Sequence, residues 1–320
     1  MLEIMSTQEL LDMEDPEWLI DEMVAENSTT MVYGPWGLGK SFMVLDMVLS
    51  ATHLPEWLGG RAIKRPLKTL YVVAEGAAWW SKRLLAYKYA KGEFDQDMVL
   101  WYPKPVNLWT PGKDKGDIPA LKETLEKHEP DIVVFDTWVR CTAAFGMNED
   151  KATDTAITLR NLDEIRDEFG VTPIIVHHPT KLGKFRGSGN LGASVERIIS
   201  LEEVKDQPSL VDVNDEKGNH IQPFDTFRLR FESVDIGGGD TSAVLRHDGM
   251  VTSKDKNTPN WQRLWQMSST IDAWPYTFGE LEDIAQSQCN IPFGSVSASI
   301  KMAVTKGAFI KNEDGTYDKA

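Results

Sequence analysis

Apolar residues recur along this chain with two different spacings, and the change between them divides it. Short runs that are almost continuously apolar or β-branched lie at residues 29–33 (Thr-Thr-Met-Val-Tyr), 69–73 (Thr-Leu-Tyr-Val-Val), 99–102, 131–137 (Asp-Ile-Val-Val-Phe-Asp-Thr), 172–178 and 198–201. Runs of this length without alternation are the pattern of strands buried on both faces of a parallel sheet. Between them, residues 42–49, 79–91, 118–128 and 148–169 carry apolar side chains at helical spacing. Strands alternating with helices predict an α/β domain with a doubly wound, mostly parallel sheet. From Leu210 the period becomes two, at 210–213 and 227–231 about a turn at 215–219, which predicts antiparallel hairpins extending that sheet. The run Gly237-Gly238-Gly239-Asp240 reads as a further turn.

The two ends read differently. Residues 1–28 hold an amphipathic patch, Leu10-Leu11 and Trp18-Leu19-Ile20 with acids between. This predicts a helix capping the main domain, with a partner-binding helix as the alternative. At the other end, 253–260 is a polar linker. Helices at 261–268, 278–286 and 295–306, a break at Asn290-Ile291-Pro292 and a hairpin at 308–317 around Asp314-Gly315 match a winged helix. The expected organisation is an arm at 1–28, a main domain at 29–252, a linker at 253–260 and a winged-helix-like domain at 261–320.

Composition narrows the class. A chain of 320 residues with 41% hydrophobic content can bury a large core. It has no uninterrupted apolar run of the roughly eighteen residues a membrane span requires. Glu3, Glu9, Asp12 and Glu14 stand where a secretory signal would be basic. Two cysteines, Cys141 and Cys289, cannot build a disulfide framework, so a reducing, cytoplasmic setting is expected. A net charge of −15 argues against a broad basic face for nucleic acid, so any DNA contact must be local.

The most specific segment follows the first strand. Gly34-Pro35-Trp36-Gly37-Leu38-Gly39-Lys40-Ser41 is a complete G-x-x-x-x-G-K-[ST] loop, and the helix beginning near Phe42 follows it. Strand, loop and helix are the context in which backbone N–H groups and a helix N-terminus cradle phosphates. Lys40 is then expected on the β/γ-phosphates and the Ser41 hydroxyl on Mg²⁺, with Gly34 to Phe42 lining the nucleotide. At average residue usage the pattern arises by chance in roughly one chain of this length in a hundred.

Other chemistry falls at strand ends. Glu75 ends the 69–73 strand and is the candidate general base, since carboxylates at the C-terminal edge of parallel strands point into the ligand crevice. Four apolar residues closing on Asp136 form a Walker B pattern, with Asp136 in the Mg²⁺ shell. Because Thr137 follows, no second carboxylate is adjacent to serve as base, which favours Glu75. The pair His177-His178 ends the 172–178 strand and reads as a γ-phosphate sensor. After it comes a basic, glycine-rich segment in which Lys181, Lys184, Phe185 and Arg186 are candidates for tracking a DNA backbone. Helix 79–91 interleaves Lys82, Arg83 and Lys88 with Trp79, Trp80, Tyr87 and Tyr89. Rings packed on the sheet are the simpler reading there, and base stacking the alternative.

Together these motifs resemble the RecA/DnaB-like core of hexameric replicative helicases, in particular plasmid RepA-type helicases and related phage ATPases, over roughly residues 15–235. The residues that carry the resemblance are Gly34 to Ser41, Ala74-Glu75, Asp136-Thr137, His177-His178 and the Arg186-Gly187-Ser188 that leads to Arg197. The resemblance implies a RecA-like sheet with the glutamate strand beside the Walker B strand, so that Glu75 faces Asp136 across Mg²⁺–ATP. It places the histidine sensor on His177 and His178, and a trans-acting arginine finger nearest Arg197, with Arg186 the other candidate. A salt bridge within the subunit, to Glu196 or Glu202, is the structural alternative for Arg197. The expected activity is ATP hydrolysis by a head-to-tail homo-oligomer, a hexameric ring moving on single-stranded DNA. A RecA-like filament in recombination or annealing is the alternative, and a small-molecule kinase fits the basic segment poorly. The winged-helix-like domain is outside the shared core; docking of replication proteins and contact with duplex DNA, the latter as in a regulator whose ATPase sets its oligomeric state, are both open for it.

Overall fold

The computed structural model describes residues 4–12, 17–112, 115–178, 189–205, 207–218, 223–251, 261, 264–265, 268, 274–287 and 293–319. The chain forms two compact units, residues 1–204 with 209–250 and residues 205–208 with 251–320.

The first unit begins with a one-turn helix, α1 (Thr7–Leu11), closed by a capping box in which the Ser6 hydroxyl accepts from Glu9 N–H and Glu9 accepts from Ser6 N–H. It buries no side chain, and Leu10 and Leu11 are exposed. Strands β1 (Trp18–Ile20) and β2 (Val24–Ala25) follow as a tight antiparallel hairpin turning through Glu22 at φ 60°. Among the described residues the expected capping helix is thus replaced by a short exposed helix and this hairpin. Leu19, Ile20, Met23 and Val24 all reach the core from the hairpin, and their spacing is also that of one helix face, which is why the sequence reads as a helix.

Next come β3 (Thr30–Tyr33), α2 (Lys40–Ala51), a small hairpin of β4 (Glu56–Trp57) and β5 (Arg61–Ala62), β6 (Thr69–Val73) and α3 (Trp80–Lys91). They are followed by β7 (Val99–Tyr102), α4 (Ile118–His128), β8 (Ile132–Asp136), α5 (Trp138–Cys141), α6 (Ala152–Phe169), β9 (Thr172–His177) and α7 (Gly189–Ser194). Last in the unit are β10 (Arg197–Glu203), β11 (Leu210–Gly218), β12 (Phe227–Gly237) and β13 (Asp240–Met250). Among the described residues the main sheet has the order β13-β12-β11-β10-β3-β9-β8-β6-β7. From β10 to β7 all neighbours are parallel, and β11, β12 and β13 add antiparallel strands as the period-two pattern predicts. The glutamate-bearing strand β6 pairs directly with β8, in the arrangement implied by a RecA-like core.

Helices cover both faces of this sheet. Because successive strand residues point to opposite sides, Val32, Tyr71, Val73, Ile132, Val134, Ile174 and Val176 meet α2 on one face. Met31, Leu70, Val72, Val133, Phe135 and Ile175 meet α4 and α6 on the other. Helix α2 is buried nearly all round, from Met43 to Ala51 without interruption, which explains its all-round apolar sequence. The sheet covers one side of it and the long β12–β13 hairpin the other. Arg246 on that hairpin donates to Ala90 O at 3.1 Å, and Asp240 pairs with Lys82 at 2.8 Å, tying it to α3. The one acid inside α2, Asp46, is held by Lys91 at 2.6 Å and by the Trp57 indole at 2.9 Å, so its buried charge is compensated. In α3 and at Trp79 just before it the rings divide, with Trp80 and Tyr87 buried and Trp79 and Tyr89 exposed.

The described part of the second unit has two helices, α8 (Phe278–Ser287) and α9 (Phe293–Thr305), and a hairpin of β14 (Phe309–Lys311) and β15 (Tyr317–Lys319). Tyr276 bridges to Tyr317, and Thr277 and Glu280 form a capping box that starts α8. Leu281, Ile284, Val296, Ile300, Phe309 and Tyr317 make its core. Half of the helix expected at 261–268, and all of the linker 253–260, lie outside the described residues. No described helix is long and apolar enough to cross a membrane.

Candidate nucleotide and metal site

The phosphate-binding loop leaves the C-terminal end of β3, the strand flanked by β9 and β10 at the middle of the sheet. Gly39 adopts φ 81°, a conformation glycine takes without strain. Its surroundings are as restrictive, because a Cβ there would lie 2.1 Å from the Phe231 ring of β12. At the other end of the loop, a Cβ on Gly34 would lie 2.7 Å from Leu201 O. The loop is thus clasped between the neighbouring strand β10 and Phe231 of the sheet extension.

Lys40 opens α2 and is 3% exposed. Its ammonium donates to Gly34 O and Pro35 O, both at 2.7 Å. Burial pushes the Lys40 ammonium down to about 8, with the carboxylates of Asp136 and Glu75 opposing the shift. Ser41 Oγ donates to Asp136 Oδ1 at 3.1 Å, and the buried Tyr71 hydroxyl donates to Asp136 Oδ2 at 2.9 Å. Desolvation raises the Asp136 carboxyl above its ordinary range, and the Ser41 and Tyr71 hydrogen bonds act against it.

Strand periodicity accounts for this convergence. Ile132, Val134 and Asp136 alternate onto the α2 face of β8, and Tyr71, Val73 and Glu75 onto the same face of β6 and its extension. Val73 is in register with Asp136, and Ala74 N donates to Asp136 O at 2.8 Å, so Glu75 emerges one step beyond the aspartate on the neighbouring strand. Glu75 is about half exposed and lies 3.6 Å from Arg140 Nε, a solvent-screened pairing that leaves the carboxylate accessible.

The donor set fits Mg²⁺. A hydroxyl and a carboxylate oxygen are hard ligands, they touch, and they sit at the N-terminus of the loop helix. Among the described residues no group of three or more His, Cys, Asp or Glu is placed to hold a metal ion by itself. Cys141 is buried, and Cys289 lies outside the described residues.

The structure separates the two histidines. His178 stacks on the exposed Trp36 of the loop, with ring centroids 4.8 Å apart and 28° between planes. His177 is 1% exposed, faces the side of the sheet opposite α2, and lies 6.2 Å from the Tyr33 ring. It is a core residue rather than a phosphate contact, because alternation along β9 turns it away from the loop.

Arg197 is also corrected. It starts β10 beside Thr30, whereas the phosphate loop follows the other end of β3, about 10 Å of strand away. The side chain is 1% exposed, its Nη1 donates to Asp215 Oδ2 at 2.8 Å, and the guanidinium packs on the Trp18 and Phe224 rings. The guanidinium is thus engaged inside its own subunit. Its partner is Asp215 on β11, while Glu196 instead accepts from Thr29 N and Arg166. Lys181, Lys184, Phe185 and Arg186 lie outside the described residues.

Two site residues, Tyr71 and Phe231, were not singled out from sequence. Tyr71 had a signal, since a tyrosine in an otherwise aliphatic buried strand needs a partner for its hydroxyl. Phe231 had none, because it reaches Phe42 from a distant segment, and Arg83 was read only among the bases of helix 79–91, with no signal for its contact with Phe42. Phe231 meets the Phe42 ring edge-on at 5.9 Å, and the Arg83 guanidinium lies 4.5 Å from its centroid.

No curated protein matches the sequence. Among solved structures, the RadB recombinase is similar at 17% identity and a TM-score of 0.46, over 65% of this chain and 89% of that one. A KaiC-like protein from the hyperthermophilic archaeon Pyrococcus horikoshii OT3 is similar at 16% identity and a TM-score of 0.47, over 70% and 93%. Residues 9–184 match the family model described as an AAA domain. That span is more than half of the chain and contains the loop, Glu75, Asp136 and His178, and the chain belongs to this AAA domain family.

Proposed function

We propose that the chain is a Mg²⁺-dependent ATPase that assembles head to tail as a hexameric ring and couples hydrolysis to movement along single-stranded DNA. The observation that carries the ATPase reading is the meeting of four groups, Lys40 and Ser41 at the start of α2 with Asp136 and Glu75 at the ends of the adjacent strands β8 and β6. Lys40 exchanges its two carbonyl partners for the β/γ-phosphates, and the loop N–H groups hold the remaining oxygens. Ser41 and Asp136 hold Mg²⁺, which when bound neutralises charge developing on the phosphates. Glu75, accessible and next to Asp136, orients a water and takes its proton.

The link to DNA rests on the basic segment that begins directly after His178. Through the Trp36 stack, His178 is in contact with the phosphate loop, so a change of loop conformation on nucleotide binding is felt where that segment starts. With Arg197 buried, Arg186 is the candidate for a cation acting in trans. The second unit, in which two helices and a hairpin are described, is the proposed winged helix. Its slight excess of acids fits protein docking better than contact with duplex DNA.

ATP turnover measured with and without single-stranded DNA tests the reading. Stimulation is expected, and it should weaken at higher salt and in a Lys181, Lys184 and Arg186 triple substitution, because phosphate contacts release counterions. Turnover indifferent to DNA sinks the DNA assignment. Glu75→Gln should keep ATP binding and lose about a hundredfold in turnover. A closed ring by negative-stain microscopy supports the hexamer, and an open helix the filament alternative.

A further inference from the structure

The hydroxyl of Tyr71 occupies one oxygen of Asp136 and Ser41 occupies the other. We propose that Tyr71 is a positioning residue for the metal: it pins Asp136 Oδ2 so that Oδ1 stays directed at Ser41 and the metal's ligand shell. The inference rests on the reading that Ser41 and Asp136 hold Mg²⁺.

The geometry makes Tyr71 suited to this. It lies on β6 opposite Val134, two residues before the position in register with Asp136, and its side chain points to the same face as that carboxylate. The ring is fully buried and held on two sides. Trp80, the first residue of α3, meets it at 4.8 Å and 64°, and Trp101 of the edge strand β7 stacks on it at 5.5 Å and 29°. A ring wedged between two indoles cannot swing its hydroxyl elsewhere, so the donor is fixed before any ligand arrives. An aspartate held only by Ser41 would keep its terminal torsion soft and would have to be ordered as the metal bound. Partners that orient metal ligands typically contribute 10–100-fold in affinity.

A tyrosine buried for packing alone would also seek a hydrogen bond, so the test must read the metal and not stability. Full-length protein binds a fluorescent, non-hydrolysable ATP analogue with EDTA or with Mg²⁺, and the ratio of the two affinities gives the metal's share. In Tyr71→Phe, which keeps the ring and loses only the hydroxyl, that ratio should fall about tenfold or more, with the EDTA affinity within about twofold of the parent. On an Asp136→Asn background the same change should alter the ratio by less than about twofold, since the two act through one hydrogen bond. An unchanged ratio in Tyr71→Phe alongside a reduced one in Asp136→Asn overturns the proposal and leaves the metal site standing. An unchanged ratio in Asp136→Asn removes the metal reading itself, and the proposal with it. If Tyr71→Phe does not fold, Trp101→Leu serves instead. It keeps the hydroxyl and removes one wall of the wedge, so the ratio should drop, and an unaltered ratio there also overturns the proposal.

Discussion

Changing Arg197 to alanine separates two accounts of this residue, because a catalytic finger and a buried structural pair fail differently. In the structure Arg197 and Asp215 are 1% and 4% exposed, 2.8 Å apart, and Asp215 also accepts from Phe224 N at 3.2 Å. Removing the guanidinium leaves a carboxylate sealed against water and takes a cation from between the Trp18 and Phe224 rings. Breaking a buried pair by deleting one partner costs about 3–5 kcal/mol. In a unit of this size each kcal/mol lowers the melting temperature by about 2–4 °C, so Arg197→Ala should melt about 6–20 °C below the parent in a calorimetric or fluorescence scan. What activity survives below the transition should be close to normal per folded molecule. Arg197→Met with Asp215→Leu, which removes both charges and keeps the volume, should recover much of the loss, as apolar replacements of buried pairs often do. An Arg197→Ala protein that melts with the parent yet hydrolyses no ATP would refute this reasoning and return the arginine to a role at the subunit interface.

Two further outcomes follow from the loop. Because burial holds the unliganded Lys40 near 8 while phosphate requires the ammonium, nucleotide binding takes up a proton above that pH. Affinity measured by titration calorimetry should therefore be flat below about pH 7 and fall toward tenfold per unit above about 8, and a flat profile to about pH 9.5 contradicts it. For Gly39→Ala, the left-handed backbone costs about 1–2 kcal/mol, and the new Cβ meets Phe231 at 2.1 Å. Nucleotide affinity should collapse in that variant and return in part when Phe231→Ala is added, since only the backbone strain then remains. No recovery in the double variant would show that Phe231 does not set the space around the loop.

Local chemistry explains what could be read in advance. The phosphate loop, the Asp136 strand and the Glu75 strand end are each contiguous segments whose period and terminal residues state their geometry, and the pairing of β6 with β8 then follows from the family resemblance. The antiparallel extension was legible as well, because the switch to period two is itself a property of neighbouring residues. What could not be read depends on pairings across the fold. Arg197 and Asp215 meet only because β10 and β11 lie side by side, and nothing in either segment distinguishes a buried salt bridge from a free cation. His177 and His178 are adjacent in sequence, yet one residue of strand phase puts one in the core and the other against Trp36. The patch Leu10 to Ile20 divided in the same way, a short exposed helix and a buried hairpin in place of one capping helix.

The central position of β3 has a consequence for the making of the protein. Both of its neighbours come late in the chain, beginning at Thr172 and Arg197, and the loop itself leans on Leu201 and Phe231. At synthesis rates of about 5–20 residues per second, roughly 10–40 s separate the emergence of Lys40 from that of Phe231. Through that interval the loop exists as sequence but not as a site, so ATP cannot act as a folding ligand for the nascent chain. The mostly apolar helix behind the loop, Met43 to Leu49 with Asp46 its one acid, waits uncovered for the same time, an exposed surface for a chaperone to hold.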